Sequence, residues 1–273
     1  MSKLIDIINN KPMLKRLFRM LELGVGTADW KLLQPYINEF DVDGEVLTSE
    51  QLACFQEKVA GDMTSQDYSP RDVNDLGNII TIFGRAAINV QESTPPDKDI
   101  NIGFAPKFYD YARGCYDKVK QELSAKILAK ELSKPNSFYL RTLDVFFMAD
   151  KFELDWFFEI TKYVFDQACV PEFVLNNNRF YPFNQFQTLV DAGFINSSVG
   201  NMSLNDTTVM HFPMAEVKVE IPKPPVGLSI YTLTDAGAQL CDLYEAVTTD
   251  GYLEKLKEFF EKRQAKVVIS DRK

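Results

Sequence analysis

The chain has 273 residues, of which 45% are hydrophobic and 25% charged, as in an ordinary globular protein. Its formal net charge of −9 argues against a general nucleic-acid binder, because such proteins present a basic surface to the phosphates. No apolar run approaches the length of a transmembrane helix, no secretory signal opens the chain, and the scattered cysteines have no metal-binding spacing. We therefore expect a cytoplasmic protein with reduced thiols and with neither cofactor nor metal.

A basic amphipathic helix is predicted near the N-terminus, within a helical region that we place at residues 1–95. Pro12 suits its first turn, where a backbone N–H would be unpaired in any case. The apolar stripe of this helix consists of Met13, Leu14, Leu17, Phe18 and Leu21. Its cations Lys15, Arg16 and Arg19 are candidate contacts to a membrane or another anion. The alternative, which we favour, is that the stripe docks on the core, the cations lie in solvent, and the Gly-Val-Gly that follows ends the helix.

An acidic loop between the next two predicted helices follows the spacing of a calcium-binding EF-hand. Its candidate ligands are Glu39, Asp41, Asp43 and Glu50, with Gly44 at the turn position. Two features argue against calcium: the first ligand is glutamate rather than aspartate, and there is no second hand to pair with. The alternative, which we favour, is a turn at Asp43-Gly44 followed by a capped helix.

Two helices meet within residues 119–148, in a central helical bundle that we place at residues 96–170. Proline disfavours helical geometry in the residue before it, so Pro135 is expected to end the first of these helices. Glu131 falls in the apolar arc of the first helix, and Arg141 is a cation on a second helix that is apolar nearly all round. An unpaired buried charge is costly, so we expect Glu131 and Arg141 to form a buried structural ion pair. The alternatives are an exposed functional pair and no pairing at all.

The segment AKILAKEL, a proline and then SFYLRTL resembles the central motif of a bacterial and phage family that is known only as a domain of unknown function. Ala125–Leu132 and Ser137–Leu143 match the motif, whereas Ser124 and Asn136 stand where the family usually has tryptophan and glycine. The N-terminal KPMLKRLFRMLELGVGT and a C-terminal LVDAGFI…LTDAG module are also similar. The resemblance implies relatives rather than an activity. Its general pattern is similar to that of some proteins proposed to act in abortive phage infection.

Beyond the bundle, the sequence turns to short β-branched segments, and residues 171–248 predict a small winged-helix-like α/β domain. A helix that begins at Phe183 should end at Gly193, and Thr234 should cap a further helix. The two-stranded excursion between these helices would form the wing. Residues 249–273 complete the chain as a last helix of mixed charge and a frayed basic tail.

The charge of the winged-helix-like domain decides which partner we expect for it. Seven acidic residues and two basic ones lie between Phe180 and Val247, and the predicted recognition helix has neither lysine nor arginine. Backbone phosphates would be repelled, and arginine is missing for direct base readout. We therefore expect contact with a protein partner or a second copy of the chain, and not with nucleic acid.

No constellation of catalytic residues rises above background. A Ser-His-Asp or Cys-His arrangement would need His211, which lies between apolar neighbours, where a histidine is more often simply packed. The expected fold is mainly α, a helical bundle followed by the winged-helix-like domain. The expected function is that of a non-enzymatic interaction or regulatory protein. A membrane-surface effector that uses the basic N-terminal helix, or a winged-helix transcriptional regulator, is the alternative.

Overall fold

The computed structural model of the chain describes residues 12–39, 49–65, 68–90, 94–166, 168–175, 180–244, 246–247 and 250–271. The described chain is largely helical, and its antiparallel sheets lie in the C-terminal part. It divides into two compact units, unit 1 at residues 1–143 and unit 2 at residues 144–273. The expectation of a mainly α fold is met in outline, because unit 1 is helical and unit 2 contains two small sheets.

Unit 1 is made of helices. They are α1 (Pro12–Glu39), α2 (Ser49–Ser65), α3 (Pro70–Val90), α4 (Phe104–Arg113), α5 (Lys118–Ser133) and α6 (Leu140–Met148), and the division between the units falls inside α6. α1 begins at Pro12, as predicted, but its expected end is instead a kink at Gly26, where φ is 75°. α5 ends at Ser133, because the backbone before Pro135 avoids the helical region.

The core of unit 1 lies where α3 packs against α2, α4 and α5, and α1 packs on α4. Side chains with no exposed surface come from α1, α3, α4 and α5: Leu17, Ile79, Ile82, Phe104, Phe108, Ile127, Leu128 and Leu132. The apolar stripe of α1 is part of this core, since Met13 is 1% exposed and Leu21 2%. The predicted docking of this helix on the core is therefore confirmed.

α1 and α4 approach each other closely at Gly24. A Cβ atom added at this position would lie 1.8 Å from Cδ2 of Tyr109, whose ring is completely buried. The Tyr109 hydroxyl has no hydrogen-bond partner among the described residues, and burial raises its pKa well above the ordinary value. A glycine is therefore required here by the ring of a neighbouring helix.

Unit 2 alternates helices with short strands. Its elements are α7 (Lys151–Ile160), β1 (Cys169–Pro171), α8 (Phe183–Asp191), β2 (Gly200–Leu204), β3 (Thr207–His211), β4 (Ala215–Glu220), β5 (Val226–Thr232), α9 (Asp235–Cys241), α10 (Asp250–Glu261) and β6 (Lys266–Asp271). α8 ends before Gly193, whose φ is 85°, and the Thr234 hydroxyl caps α9 by accepting from the backbone N–H of Gly237 at 3.1 Å. Both helix ends agree with the sequence prediction, because each depends on local residues.

The strands form two antiparallel sheets, in the orders β1-β5-β2 and β3-β4-β6. In the second sheet β6 pairs along the whole of β4, from Ala215 opposite Asp271 to Glu220 opposite Lys266. The predicted frayed tail at the end of the chain is therefore wrong over Lys266–Asp271. This segment is a strand because its backbone pairs with that of β4 along its whole length. Its mixed polarity gives no indication in the sequence that a distant strand will pair with it.

Aromatic side chains fill the core of unit 2. Phe157 of α7 stacks on Phe194 with ring centroids 4.5 Å apart. Tyr252 of α10 is completely buried, meets the ring of Phe212 edge-on at 5.6 Å, and donates a hydrogen bond to the backbone carbonyl of Tyr163 at 3.3 Å. Offset and edge-to-face ring pairs stabilise a core beyond the area that they bury.

Candidate functional site

The carboxylate of Glu131 binds the loop that follows its own helix. Glu131 has no exposed surface, and its two oxygens accept hydrogen bonds from the backbone N–H groups of Asn136 at 2.7 Å, Ser137 at 3.0 Å and Phe138 at 3.2 Å. Arg141 is exposed. The predicted Glu131–Arg141 ion pair is therefore wrong. The buried charge is satisfied by three consecutive backbone donors instead of by a guanidinium.

Two opposing effects act on the pKa of Glu131. Burial raises it above the ordinary value, and the three backbone hydrogen bonds together with the positive charge of Arg16 act to lower it. The loop adopts this conformation through Asn136, whose φ of 66° turns successive N–H groups toward the carboxylate. A positive φ is unstrained for glycine, and asparagine is one of the residues that tolerate it. The motif thus encodes a structural clamp.

A cleft of about 340 Å³ opens between α1 and the segment that precedes α4. We call it the basic cleft, because α1 contributes Lys15, Arg16 and Arg19 to its lining. The remaining lining residues are Pro12, Met20, Leu23, Pro95, Asp99, Ile100, Asn101, Ile102 and Ala105. The structure therefore brings the three cations that the sequence singled out to one concave site, whose size is typical of sites for small molecules.

Arg16 joins the two walls of the basic cleft. Its guanidinium donates hydrogen bonds to the backbone carbonyls of Pro96, at 3.5 Å, and Lys98. Its Nε–H is buried and has no acceptor in the described structure. A buried charged donor without an acceptor costs folding free energy, so the Nε–H is the one unsatisfied group of a guanidinium that is otherwise held by hydrogen bonds.

The other two cations of the basic cleft are held less tightly. Lys15 and Arg19 are one helical turn apart on α1, both are exposed, and neither has an acidic partner within the part of the chain that the structure describes. Asp99 is the carboxylate in the lining, so the cleft has an excess of two positive charges. Two lining side chains are strongly exposed apolar groups, Ile102 at 83% and Leu23 at 51%.

The second wall of the basic cleft was missed by sequence reasoning. The sequence predicts a helix from Ile100 onward, but α4 begins at Phe104 and leaves Ile100 and Ile102 in the preceding loop. Two isoleucines around Asn101, directly after a segment rich in proline and charge, were the signal that could have found it. The residues near this loop in the sequence do not indicate which helix it faces in the fold.

In unit 2, the two halves of the LVDAGFI…LTDAG module lie against each other. Thr234 donates from its hydroxyl to the carbonyl of Gly193 at 2.7 Å, and Ile195 forms a bridge with Leu233. A Cβ atom added at Gly237 would lie 2.1 Å from the carbonyl oxygen of Phe194. Gly237 is therefore required by the backbone that it touches, and the module is a structural unit.

The solvent side of α8 is aromatic and amide-rich. Phe183 is 52% exposed, and Asn184, Gln187 and Asp191 are exposed with it. The opposite side packs inward through Phe186 and other buried residues. The helix therefore presents polar, uncharged groups, one ring and one carboxylate to the solvent.

The remaining candidate residues form no site in the described structure. His211 is not packed: it is exposed on β3, with Nδ1 3.5 Å from the Glu216 carboxylate. Within the described ranges no group of histidine, cysteine, aspartate or glutamate side chains could hold a metal ion. The predicted calcium loop lies outside the described residues at Asp41 and Asp43, and of its end positions Glu39 ends α1 and Glu50 lies in the first turn of α2.

Comparison with known proteins gives a family match over the middle of the chain. Residues 71–162 match the model of a family described as a protein of unknown function (DUF2806). The match spans both halves of the central motif, so the predicted resemblance to a family of unknown function is confirmed there. No curated protein and no solved structure matches the chain. None of the helices in the described ranges combines the length and the apolar character needed to cross a membrane.

Proposed function

We propose that the protein is a non-enzymatic interaction protein, and that the solvent side of α8 contacts a protein partner. The observation that supports this most directly is the composition of that surface, which offers a half-exposed ring at Phe183 between amide side chains and has no cation. Aromatic side chains are enriched, and charged side chains depleted, at the core of protein interfaces.

We further propose that the core of unit 2 is a winged helix. In that fold, a helix leads into the second of three antiparallel strands, and the connection between the second and third strands is the wing. The order β1-β5-β2, with α8 before β2 and the β3–β4 hairpin between β2 and β5, is consistent with this arrangement. The hairpin differs from a free wing because β4 pairs with β6.

The charges around α8 favour protein over DNA as the partner. Of the two basic residues between Phe180 and Val247, Lys218 lies 3.0 Å from the carboxylate of Glu220. Its charge is thereby compensated within β4. The recognition helix has no cation, and Lys223 is then the one basic side chain of the proposed wing that is left to contact a phosphate backbone, which favours a protein partner over DNA.

The test is an affinity capture from native lysate, with and without nuclease, using the wild-type chain and two variants. Phe183→Ser removes the exposed ring of α8, and Phe152→Ser removes a ring that is 45% exposed on α7 as a matched control. We expect the same protein partners, or a second copy of the chain, with the wild type and Phe152→Ser after nuclease treatment, and their loss with Phe183→Ser.

Two results would overturn the proposal. Equal capture by Phe183→Ser, with unchanged circular dichroism, would exclude the α8 surface. Recovery of nucleic acid that disappears with nuclease and with rising salt would favour the transcriptional regulator instead, acting through a basic surface elsewhere.

We also propose that the protein acts in the cytoplasm and in defence against phage. None of the four cysteines, all of which lie in the described ranges, forms a disulfide, as is usual for proteins of reducing compartments. The defence role rests on the resemblance of the central motif and the LTDAG module to proteins proposed to act in abortive infection. Plaque counts on a host that expresses the wild type should fall relative to one that expresses Phe183→Ser. Equal counts would remove this part of the proposal.

A further inference from the structure

We propose that the basic cleft of unit 1 binds an amphiphilic anion, meaning a phosphate-type head group that carries a short apolar tail. The site lies in the unit that does not contain α8, and it is independent of the function proposed above. Its two kinds of lining, cations from α1 and apolar side chains from both walls, match the two parts of such a ligand.

The charge of the cleft suits a head group with two negative charges. Lys15, Arg16 and Arg19 stand against one carboxylate, Asp99, in a chain whose net charge is otherwise strongly negative. A concave site with an excess of one sign concentrates ligands of the opposite sign. Lys15 and Arg19 have no acidic partner among the described residues, so within that part of the chain no ion pair offsets the positive charges of these two side chains.

Arg16 makes the site preorganised. The carbonyls of Pro96 and Lys98 hold its guanidinium in place at the wall of the cleft, so its charge is fixed before a ligand arrives. Charges that need no reorganisation give more favourable binding than charges on mobile side chains. Among the described residues the buried Nε–H of Arg16 has no acceptor, and an anionic occupant of the cleft would reduce the cost of this unsatisfied donor.

The apolar lining indicates a ligand that is more than a simple ion. Ile102 and Leu23 expose most or half of their surface to water, and Met20 and Ile100 line the same cleft. Inorganic phosphate would leave these side chains exposed. An alkyl tail would cover them, and each buried methylene group should strengthen binding about fourfold.

The first experiment is isothermal titration calorimetry of the full chain with hexyl phosphate, inorganic phosphate and hexanol. We expect hexyl phosphate to bind at least ten times more tightly than either of the others, because it alone satisfies both linings. No binding of hexyl phosphate, or equal binding of inorganic phosphate, would overturn the proposal.

Matched variants then locate the binding. In Lys15→Glu/Arg19→Glu the cations are reversed, and we expect the Kd for hexyl phosphate to rise tenfold or more. Lys126→Glu reverses an exposed cation on α5 outside the cleft and should leave the Kd unchanged. Ile102→Ser should weaken hexyl phosphate but not inorganic phosphate, whereas Val119→Ser, at a side chain 48% exposed on α5, should weaken neither. Equal effects of site and control variants would overturn the assignment.

Vesicle sedimentation distinguishes the two sources of such a ligand. Binding to vesicles that contain phosphatidic acid, whose head group is a phosphate monoester like that of hexyl phosphate, but not to vesicles of phosphatidylcholine, lost in Lys15→Glu/Arg19→Glu, would identify a lipid head group at a membrane surface. Hexyl phosphate binding without vesicle binding would identify a free phosphate ester. Vesicle binding that persists in the double variant would overturn the assignment to this cleft.

Discussion

Each unit of the molecule uses a glutamate to hold a chain segment, and the two glutamates do so in opposite environments. In unit 1, Glu131 is completely buried and binds three backbone N–H groups of one loop. In unit 2, Glu220 has a side chain that is 39% exposed, and it lies between Lys218 on its own strand, at 3.0 Å, and Lys266 on β6, at 3.7 Å. Burial raises the pKa of Glu131, and the hydrogen bond from Lys218 lowers the pKa of Glu220.

The two environments give the carboxylates of Glu131 and Glu220 different contributions to folding stability. Water replaces the lysines around Glu220 easily, so this exposed pair contributes little to stability. Removing the carboxylate of Glu131 is costly, because it takes the acceptor from the buried N–H of Phe138 and from the half-buried N–H groups of Asn136 and Ser137. The chain has two tryptophans, Trp30 in unit 1 and Trp156 in unit 2, so a single-tryptophan background reports the unfolding of each unit separately.

The largest effect is expected for Glu131→Ala. Its removal leaves the N–H groups of Asn136, Ser137 and Phe138 unsatisfied, and unit 1 should lose about 4 kcal/mol of unfolding free energy. Glu220→Ala, the matched change in unit 2, should barely shift the denaturation midpoint. Urea titrations with Trp30 and Trp156 as the respective reporters measure both. Equal shifts in the two variants would end the distinction between the carboxylates.

The next effect concerns the two close helix approaches, one in each unit. Gly237→Ala places a methyl group against the carbonyl of Phe194 and should destabilise unit 2 by about 3 kcal/mol. Gly24→Ala meets the ring of Tyr109, which can shift further than backbone, and should cost unit 1 about 2 kcal/mol. Gly61→Ala in α2 has open space around its Cβ and should stabilise by about 0.5 kcal/mol. A Gly237→Ala variant as stable as wild type would contradict the packing described here.

Arg141→Ala is expected to have a much smaller effect. Arg141 is exposed and has no part in binding Glu131, so unit 1 should change by less than about 0.5 kcal/mol. The comparison with Glu131→Ala in the same urea titration separates the backbone clamp from an ion pair. A loss near that of Glu131→Ala would restore the ion pair.

The smallest effect is a difference in pH dependence. The folded-state pKa of Glu131 is raised, so its protonation stabilises the fold at low pH, and this gain is lost as the pH rises through the folded pKa. The pKa of Glu220 is lowered, so its contribution is present above the ordinary carboxyl pKa and is lost as the pH falls through the folded value.

The difference in denaturation midpoint between the wild type and each glutamine variant should therefore change in opposite directions as the pH is lowered. Lowering the pH should favour the wild type over Glu131→Gln, and it should disfavour the wild type relative to Glu220→Gln. The sign of each difference is the test, and the same sign for both variants would show that one of the two environments is misassigned.

Helix starts, helix ends and caps could be predicted from the sequence, because they depend on residues within one or two helical turns. Pro12 opens α1, Pro135 ends α5, Thr234 caps α9 and Gly193 follows α8, because each acts on backbone groups three or four residues away. The motif of unknown function was also readable, since it is a local pattern. The cations of α1 were found in the sequence for the same reason.

Contacts between groups far apart in the chain could not be predicted from the sequence and are seen in the tertiary structure. Glu131 binds the backbone N–H groups of the following loop rather than Arg141, because the fold places these donors against its buried carboxylate and leaves Arg141 exposed to solvent. Lys266–Asp271 became a strand because β4 supplied a ladder. The basic cleft exists because Arg16 reaches carbonyls some 80 residues further along the chain. Periodicity reports which side of an element is apolar, but the partner of that side is a property of the whole fold, where burial and hydrogen bonds are satisfied together.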